Sequence, residues 1–208
     1  MLFIYTGSDT VLTSFNVILF NEFETLDAFG PAEIIGRMPE VYKLGYFSIN
    51  GGIVLSSQQI SVNTQPVFDM DLSGILLIPG GMGTRELSED IHFIAQLNKL
   101  SQQATYVLTV CTGSALLAKT GLLQNKKATS NKLAFDWVCK NGHDVNWIKK
   151  ARWVNDGKYY TSSGVSAGID MTLGFISDLH GHKMAKEICK IIEYIWNDDK
   201  NKDPFAIE

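Results

Sequence analysis

Tyr106–Leu123, YVLTVCTGSALLAKTGLL, carries a strand, a turn and a helix within eighteen residues. Val107–Val110 is a β-branched and apolar run that delivers Cys111 to the end of a strand. Thr112-Gly113-Ser114 is a turn of small residues, and Ala115–Thr120 is a short helical run closed by Gly121 as a C-cap. That succession sets Cys111 on a sharp elbow at the carboxyl edge of a sheet, as α/β hydrolases set a nucleophilic serine. The elbow reading expects an exposed sulfur facing the N-terminus of the next helix, whose free N–H groups and dipole favour thiolate over thiol. The competing reading is packing, because cysteine is among the most buried residue types.

Strands and helices alternate on both sides of this unit. Phe15–Phe20 reads as a strand buried on both faces, and NEFETLDAFGPAEIIGRM follows with Pro31 near a first helical turn and an apolar stripe of Ala32, Ile34, Ile35 and Met38. Tyr42–Ile49 is a second strand, and Gly51-Gly52 turns into a hairpin-like excursion over Ile53–Val62. Ile75–Ile78 is a central strand that stops at Pro79-Gly80-Gly81, and Ser88 is placed to cap a helix carrying Ile91, Ile94, Leu97 and Leu100. Beyond the elbow come a short helix over Lys132–Lys140 and a hairpin turning at Asn155-Asp156-Gly157. Two helices close the chain, one from about Ile169 and one over Met184–Trp196. The pattern predicts an α/β fold, a flavodoxin-like, doubly wound and mostly parallel sheet with helices on both faces. Ligands of such sheets sit at the carboxyl ends of the strands, where the turn after Phe20, the Pro79-Gly80-Gly81 turn and Cys111 all fall.

With 208 residues, 45% of them hydrophobic and 19% charged, the chain can bury one full core. One domain is expected over residues 15–208, with residues 1–14 as an N-terminal extension, either an added edge strand or a disordered arm. A net charge of −4 argues against nucleic acid as a partner, since phosphate neutralisation needs a clustered basic surface. MLFIYTGSDTVLTSF has no basic start and a short apolar run, so it makes a poor signal peptide, and no stretch is long enough for a membrane span. Cys111, Cys139 and Cys189 are odd in number and far apart, which fits reduced thiols in a cytoplasm and no disulfide.

A cysteine nucleophile needs a proton partner, and the acids after the first strand are Glu22, Glu24 and Asp27. Charge developing on a substrate needs donors, for which the backbone N–H groups of Gly81 and Thr112 are placed, while Gly80 lets the backbone come close to a ligand. An ordinary tight turn would explain the same glycines. The histidines His92, His143, His180 and His182 fall on helical or loop surfaces, and His180-x-His182 lacks the convergent ligands of a metal site.

Tyr106–Leu123 followed by Ala128-Thr129 resembles the nucleophile region of the DJ-1/PfpI superfamily, with its glutamine-amidotransferase-like α/β fold. The CTGS and the later GLL are most similar to the isonitrile hydratase branch and to the amidotransferase-like domains of AraC-type regulators. The resemblance covers Phe15 to about Trp196. It selects Asp27 of Asp27-Ala28-Phe29-Gly30-Pro31 as the protonated acid set against the cysteine sulfur, and it implies that the Thr112 hydroxyl orients water or substrate. It also places Asn131, Ser163 and Ser166 near the pocket and implies a homodimer. Two departures stand out: Thr112 occupies the place where family proteases carry histidine, and Asn131 follows Ala128-Thr129-Ser130 where many relatives carry another.

The function so implied is a cysteine-dependent hydratase or hydrolase of small molecules, with Cys111 as nucleophile, Asp27 as acid and base, and no metal or organic cofactor. Peptidase and esterase activity is not expected, because Asn131 cannot take a proton. The alternative is a redox or metabolite sensor using Cys111, related to the ligand domain of AraC-type regulators and expected to lack their DNA-binding region.

Overall fold

The computed structural model describes residues 12–206. Strand β1 (Thr13–Ile18) leads through α1 (Thr25–Gly36) to β2 (Tyr42–Ser48) and a hairpin of β3 (Asn50–Leu55) and β4 (Ser61–Pro66). Next come β5 (Ile75–Ile78), the single turn α2 (Thr84–Leu87), α3 (Ile91–Gln103), β6 (Tyr106–Thr109) and α4 (Gly113–Lys119). The remainder holds β7 (Lys127–Ala128), α5 (Phe135–Cys139), β8 (Asn146–Trp147), the hairpin β9 (Trp153–Asp156) and β10 (Tyr159–Ser162), then α6 (Ala167–His180) and α7 (His182–Ile191).

The main sheet has the order β3-β4-β2-β1-β5-β6-β10-β9. Its inner strands β4 through β10 run parallel, and β3 and β9 close the two edges antiparallel. Phe15, Val17, Ile75–Ile78, Val107 and Leu108 are buried, as the central strands of a sheet covered on both faces must be. The helices fall into two groups: α1 packs on α6 and α6 on α7, whereas α4 packs on α2, α3 and α5. Register aligns the strand ends, with Leu77 opposite Leu108 and Thr109 opposite Thr161. The turns after β5, β6 and β10 therefore emerge together.

Several boundaries differ from the sequence reading, each for a local reason. β1 begins at Thr13, paired with Tyr42, two residues before the expected start; residues 1–11 of the expected extension lie outside the described residues. Pro31 sits in the body of α1, where it has no N–H to give the Asp27 carbonyl four residues back. Asp90 rather than Ser88 caps α3, its carboxylate accepting from the N–H groups of His92 and Phe93 at 2.9 and 3.1 Å, because the Ser88 backbone is helical and its hydroxyl donates to the Arg85 carbonyl. The second hairpin turns at Gly157-Lys158, with Asn155 and Asp156 inside β9. The last helix stops at Ile191 because the chain beyond it is drawn to Asp170, which accepts from the Tyr194 hydroxyl, the Trp196 indole and the Asn197 N–H at 3.0–3.1 Å.

Candidate active site

Cys111 lies between β6 and α4 with φ 56°, a left-handed conformation rare for a residue with a side chain. The turn around it is built by specific contacts. Its N–H donates to the Ser163 carbonyl at 3.1 Å, and its own carbonyl accepts the hydroxyls of Ser114 at 3.0 Å and Ser130 at 2.7 Å. A side chain at Gly113 would run into the carbonyls of Ile78 and Pro79, so the residue two places after the cysteine has to be glycine. The strand, tight turn and helix read from the sequence are therefore present. The exposed thiolate is not: Cys111 is only 7% exposed, and burial followed by the neighbouring Asp27 pushes its thiol up to about 12. Against that push, the N–H groups of Thr112 and Val165 and the Thr112 hydroxyl act on the sulfur in the direction of the thiolate.

Asp27 stands in the first turn of α1, fully buried. The turns after β1 and β5 are stitched together around it: Glu24 N–H donates to the Gly80 carbonyl at 2.9 Å and Gly80 N–H donates to Asp27 Oδ2 at 2.9 Å. Asp27 Oδ1 has no hydrogen-bond partner. Burial raises the carboxyl to about 8, Glu24 adds to the rise, and the Gly80 N–H and Cys111 oppose it. A position in the first turn of a helix favours a carboxylate by only about 0.3–1 kcal/mol, too little to reverse such desolvation. Glu22 and Glu24, the other acids considered, are exposed and half-exposed, and Glu24 accepts from the Gln58 amide at 3.1 Å.

Thr112 is buried, and its hydroxyl accepts from the Gly81 N–H at 3.1 Å and from the Thr84 hydroxyl at 3.1 Å. Gly81 N–H, expected to face a substrate, is thus already engaged by the Thr112 hydroxyl. Gly80 is needed for close approach: a Cβ there would lie 2.6 Å from Thr112 N and 2.8 Å from Asp27 Oδ2.

The DJ-1/PfpI family model matches residues 13–178. The chain belongs to the DJ-1/PfpI family. It is 32% identical over 178 residues to isonitrile hydratase of Pseudomonas putida, covering 85% of this chain and 76% of that protein. It is 28% identical over 181 residues to the HTH-type transcriptional regulator CdhR of Pseudomonas aeruginosa, covering 86% of this chain but about half of the regulator, 52%. The fold is shared with a ThiJ/PfpI family protein of Pseudomonas syringae, at a TM-score of 0.81 and 24% identity, over 98% of this chain and 84% of that one.

Within this DJ-1/PfpI fold the expected site residues form two sets. Cys111, Asp27, Thr112, Gly80 and Gly81 converge, as just described. Asn131, Ser163 and Ser166 instead line a cavity of about 520 Å³ together with Lys149, Val165 and Phe205. Val165 joins the sets, since its N–H acts on the sulfur while it walls the cavity. Asn131 packs on Gly164, and its Oδ1 caps the N–H of Ala134 at 2.9 Å. Ser166 faces the other way as well, accepting from Arg152 Nη2 at 3.1 Å.

Sequence reasoning missed Ser130, Thr84 and Val165. Ser130 lay inside the Ala128-Thr129-Ser130 segment already singled out, so its hydroxyl was within reach of a closer reading. Val165 was not: it acts through its backbone at φ 40°, which no β-branched residue advertises. His180, expected on a helical or loop surface, bonds the Tyr42 hydroxyl at 2.6 Å, while His182 stacks near Trp196 with ring centroids 5.3 Å apart. All three cysteines are free. No helix among the described residues is long and apolar enough to cross a membrane, and no three His, Cys, Asp or Glu side chains among them are placed to hold a metal ion.

Proposed function

We propose that the protein hydrates small isonitriles to N-substituted formamides, with Cys111 as nucleophile and Asp27 as the acid and base. The observation that carries the reading is the fully buried Asp27 carboxyl beside the Cys111 sulfur, raised by burial to about 8, at a site to which none of the histidines contributes. Similarity to isonitrile hydratase over most of both chains supports it.

The terminal carbon of an isonitrile accepts a proton and then a nucleophile, and a neutral acid next to a thiol supplies both. Asp27 gives its proton to that carbon as the S–C bond forms, and the thiol proton passes to the Asp27 carboxylate, leaving a thioimidate on Cys111. Water adds to the same carbon with one proton moving to nitrogen. Cleavage of the C–S bond then releases the formamide, and the remaining water proton returns to sulfur. The N–H groups of Thr112 and Val165 stabilise the sulfur as it leaves. The Thr112 hydroxyl, fixed by Gly81 and Thr84, is the group nearest to orient the water. Asn131, Ser163 and Ser166 border the space for the substrate's non-reacting part. The scheme uses side chains and water alone, and we expect the active species to be a homodimer.

The sensor alternative draws on the regulator similarity and implies binding without turnover. Purified protein incubated with small isonitriles decides between them. The hydratase reading expects formamide formation that falls by on the order of 10²–10⁴-fold in Asp27→Asn and at least as far in Cys111→Ser, with no peptide cleavage. Absence of turnover, or turnover that survives Cys111→Ser, contradicts it.

A further inference from the structure

The segment after α7 returns to the site through a buried set of charges that the proposed chemistry does not use. Arg152, 4% exposed, donates from Nε to Asp170 Oδ2 at 2.9 Å, its Nη2 lies 2.8 Å from the same oxygen, and its Nη1 lies 3.6 Å from Asp203 Oδ1. Lys132 Nζ lies 3.7 Å from Asp203 Oδ2 and donates to the Ala151 carbonyl at 2.7 Å. The backbone is tied in as well: Arg152 N–H donates to the Lys200 carbonyl at 2.8 Å, and Ser163 N–H donates to the Arg152 carbonyl at 2.9 Å.

Charge balance alone accounts for the contacts to Asp170 and Asp203. It does not account for Arg152 Nη2 also reaching Ser166 Oγ at 3.1 Å. Ser166 directly follows Val165, whose left-handed φ of 40° is sparsely populated for a β-branched residue and whose N–H acts on the Cys111 sulfur. Such a conformation persists only where neighbours over-determine it. On the inner side of the turn Gly164 packs against Asn131, and on the outer side Ser166 is held by Arg152.

We propose that Arg152 is a positioning residue for Cys111, holding the Val165 N–H against the sulfur through its hydrogen bond to Ser166. The C-terminal segment, by way of Asp203, is thereby coupled to the ionisation of a thiol it does not touch. The functional weight of this inference rests on Cys111 being the reacting sulfur, but its test reads the thiol directly and is independent of any isonitrile. The ionisable groups that bear on the outcome are Asp27 beside the sulfur with Glu24 behind it, and Asp170, Asp203, Lys132, Lys149 and Tyr194 around Arg152. None is altered by Ser166→Ala.

Arg152→Met leaves the buried Asp170 uncompensated and Asp203 with Lys132 alone and is a poor probe, so the informative variant is Ser166→Ala, which keeps every charge. The measurement is the rate of iodoacetamide labelling at Cys111, separated from Cys139 and Cys189 by peptide mapping, from about pH 7 to about pH 10. Loss of one oriented N–H donor is expected to slow labelling roughly three- to tenfold at each pH. That equals a displacement of the pH–rate profile by about half to one unit toward alkali. Ser166→Thr, which keeps the acceptor hydroxyl, should restore the rate, and the melting temperature of both variants should stay close to that of the parent. A loop that merely covers the sulfur would label faster once loosened. Unchanged or faster labelling in Ser166→Ala overturns the proposal.

Discussion

Two groups of buried ionisable side chains flank the Val165–Ser166 turn, and they handle burial in opposite ways. Around Arg152 each charge meets its opposite. Burial raises the Asp170 carboxyl but Arg152 opposes the rise, and burial lowers the Lys132 amine to about 8 while Asp203 opposes the fall. Around Cys111 there are two acids and no cation, so Coulomb repulsion adds to desolvation at the thiol and Glu24 adds to it at Asp27. The first group pairs acids with bases and braces the fold. The second keeps its protons, which makes it unsuited to bracing and suited to giving a proton away.

The largest consequence of the contrast falls on stability. Removing one member of the compensated group strands its partners as unpaired charges, so Arg152→Met is expected to lose about 3–5 kcal/mol. Urea unfolding monitored by tryptophan fluorescence measures this, and a loss below about 1 kcal/mol would show that Asp170 and Asp203 are neutralised some other way.

The uncompensated group responds in the other direction, through pH. The Asp27 carboxyl is raised from 3.8 to about 8 in the folded protein. Its contribution to stability is therefore fully present below about pH 4 and is lost as pH rises through about 8, because over that window the folded state holds a proton that the unfolded state has released. Within it, one such group costs about 1.4 kcal/mol per pH unit. Asp27→Asn should remove that slope, so the variant gains on the parent between about pH 5 and pH 8. Parallel stability curves would place Asp27 in contact with water or with a cation.

The same contrast marks what the sequence discloses. Apolar runs and glycine turns reveal the sheet, its parallel order and the strand, turn and helix around Cys111, since Ile75–Ile78 and Val107–Val110 have no other comfortable home than a sheet covered on both faces. The ends of elements are less legible, because they are settled by distant partners: α7 stops where Asp170 captures Tyr194, Trp196 and Asn197. At the candidate site, residue type and spacing point to Cys111 but misjudge its state, while the choice of Asp27 among the nearby acids comes from the family resemblance and agrees with its raised carboxyl. A helix N-terminus beside a cysteine suggests thiolate, yet burial outweighs it here. No spacing announces that Arg152, Asp170 and Asp203 meet, since they are brought together by the return of the chain after α7.

The central claim is that Asp27 is a neutral acid at physiological pH, and difference infrared spectroscopy tests it most directly by following the protonated-carboxyl band that Asp27→Asn removes. The account predicts a band present at about pH 6 that disappears with a midpoint near 8. A band already lost by about pH 5 would contradict it, because Asp27 would then be a carboxylate with no proton to give.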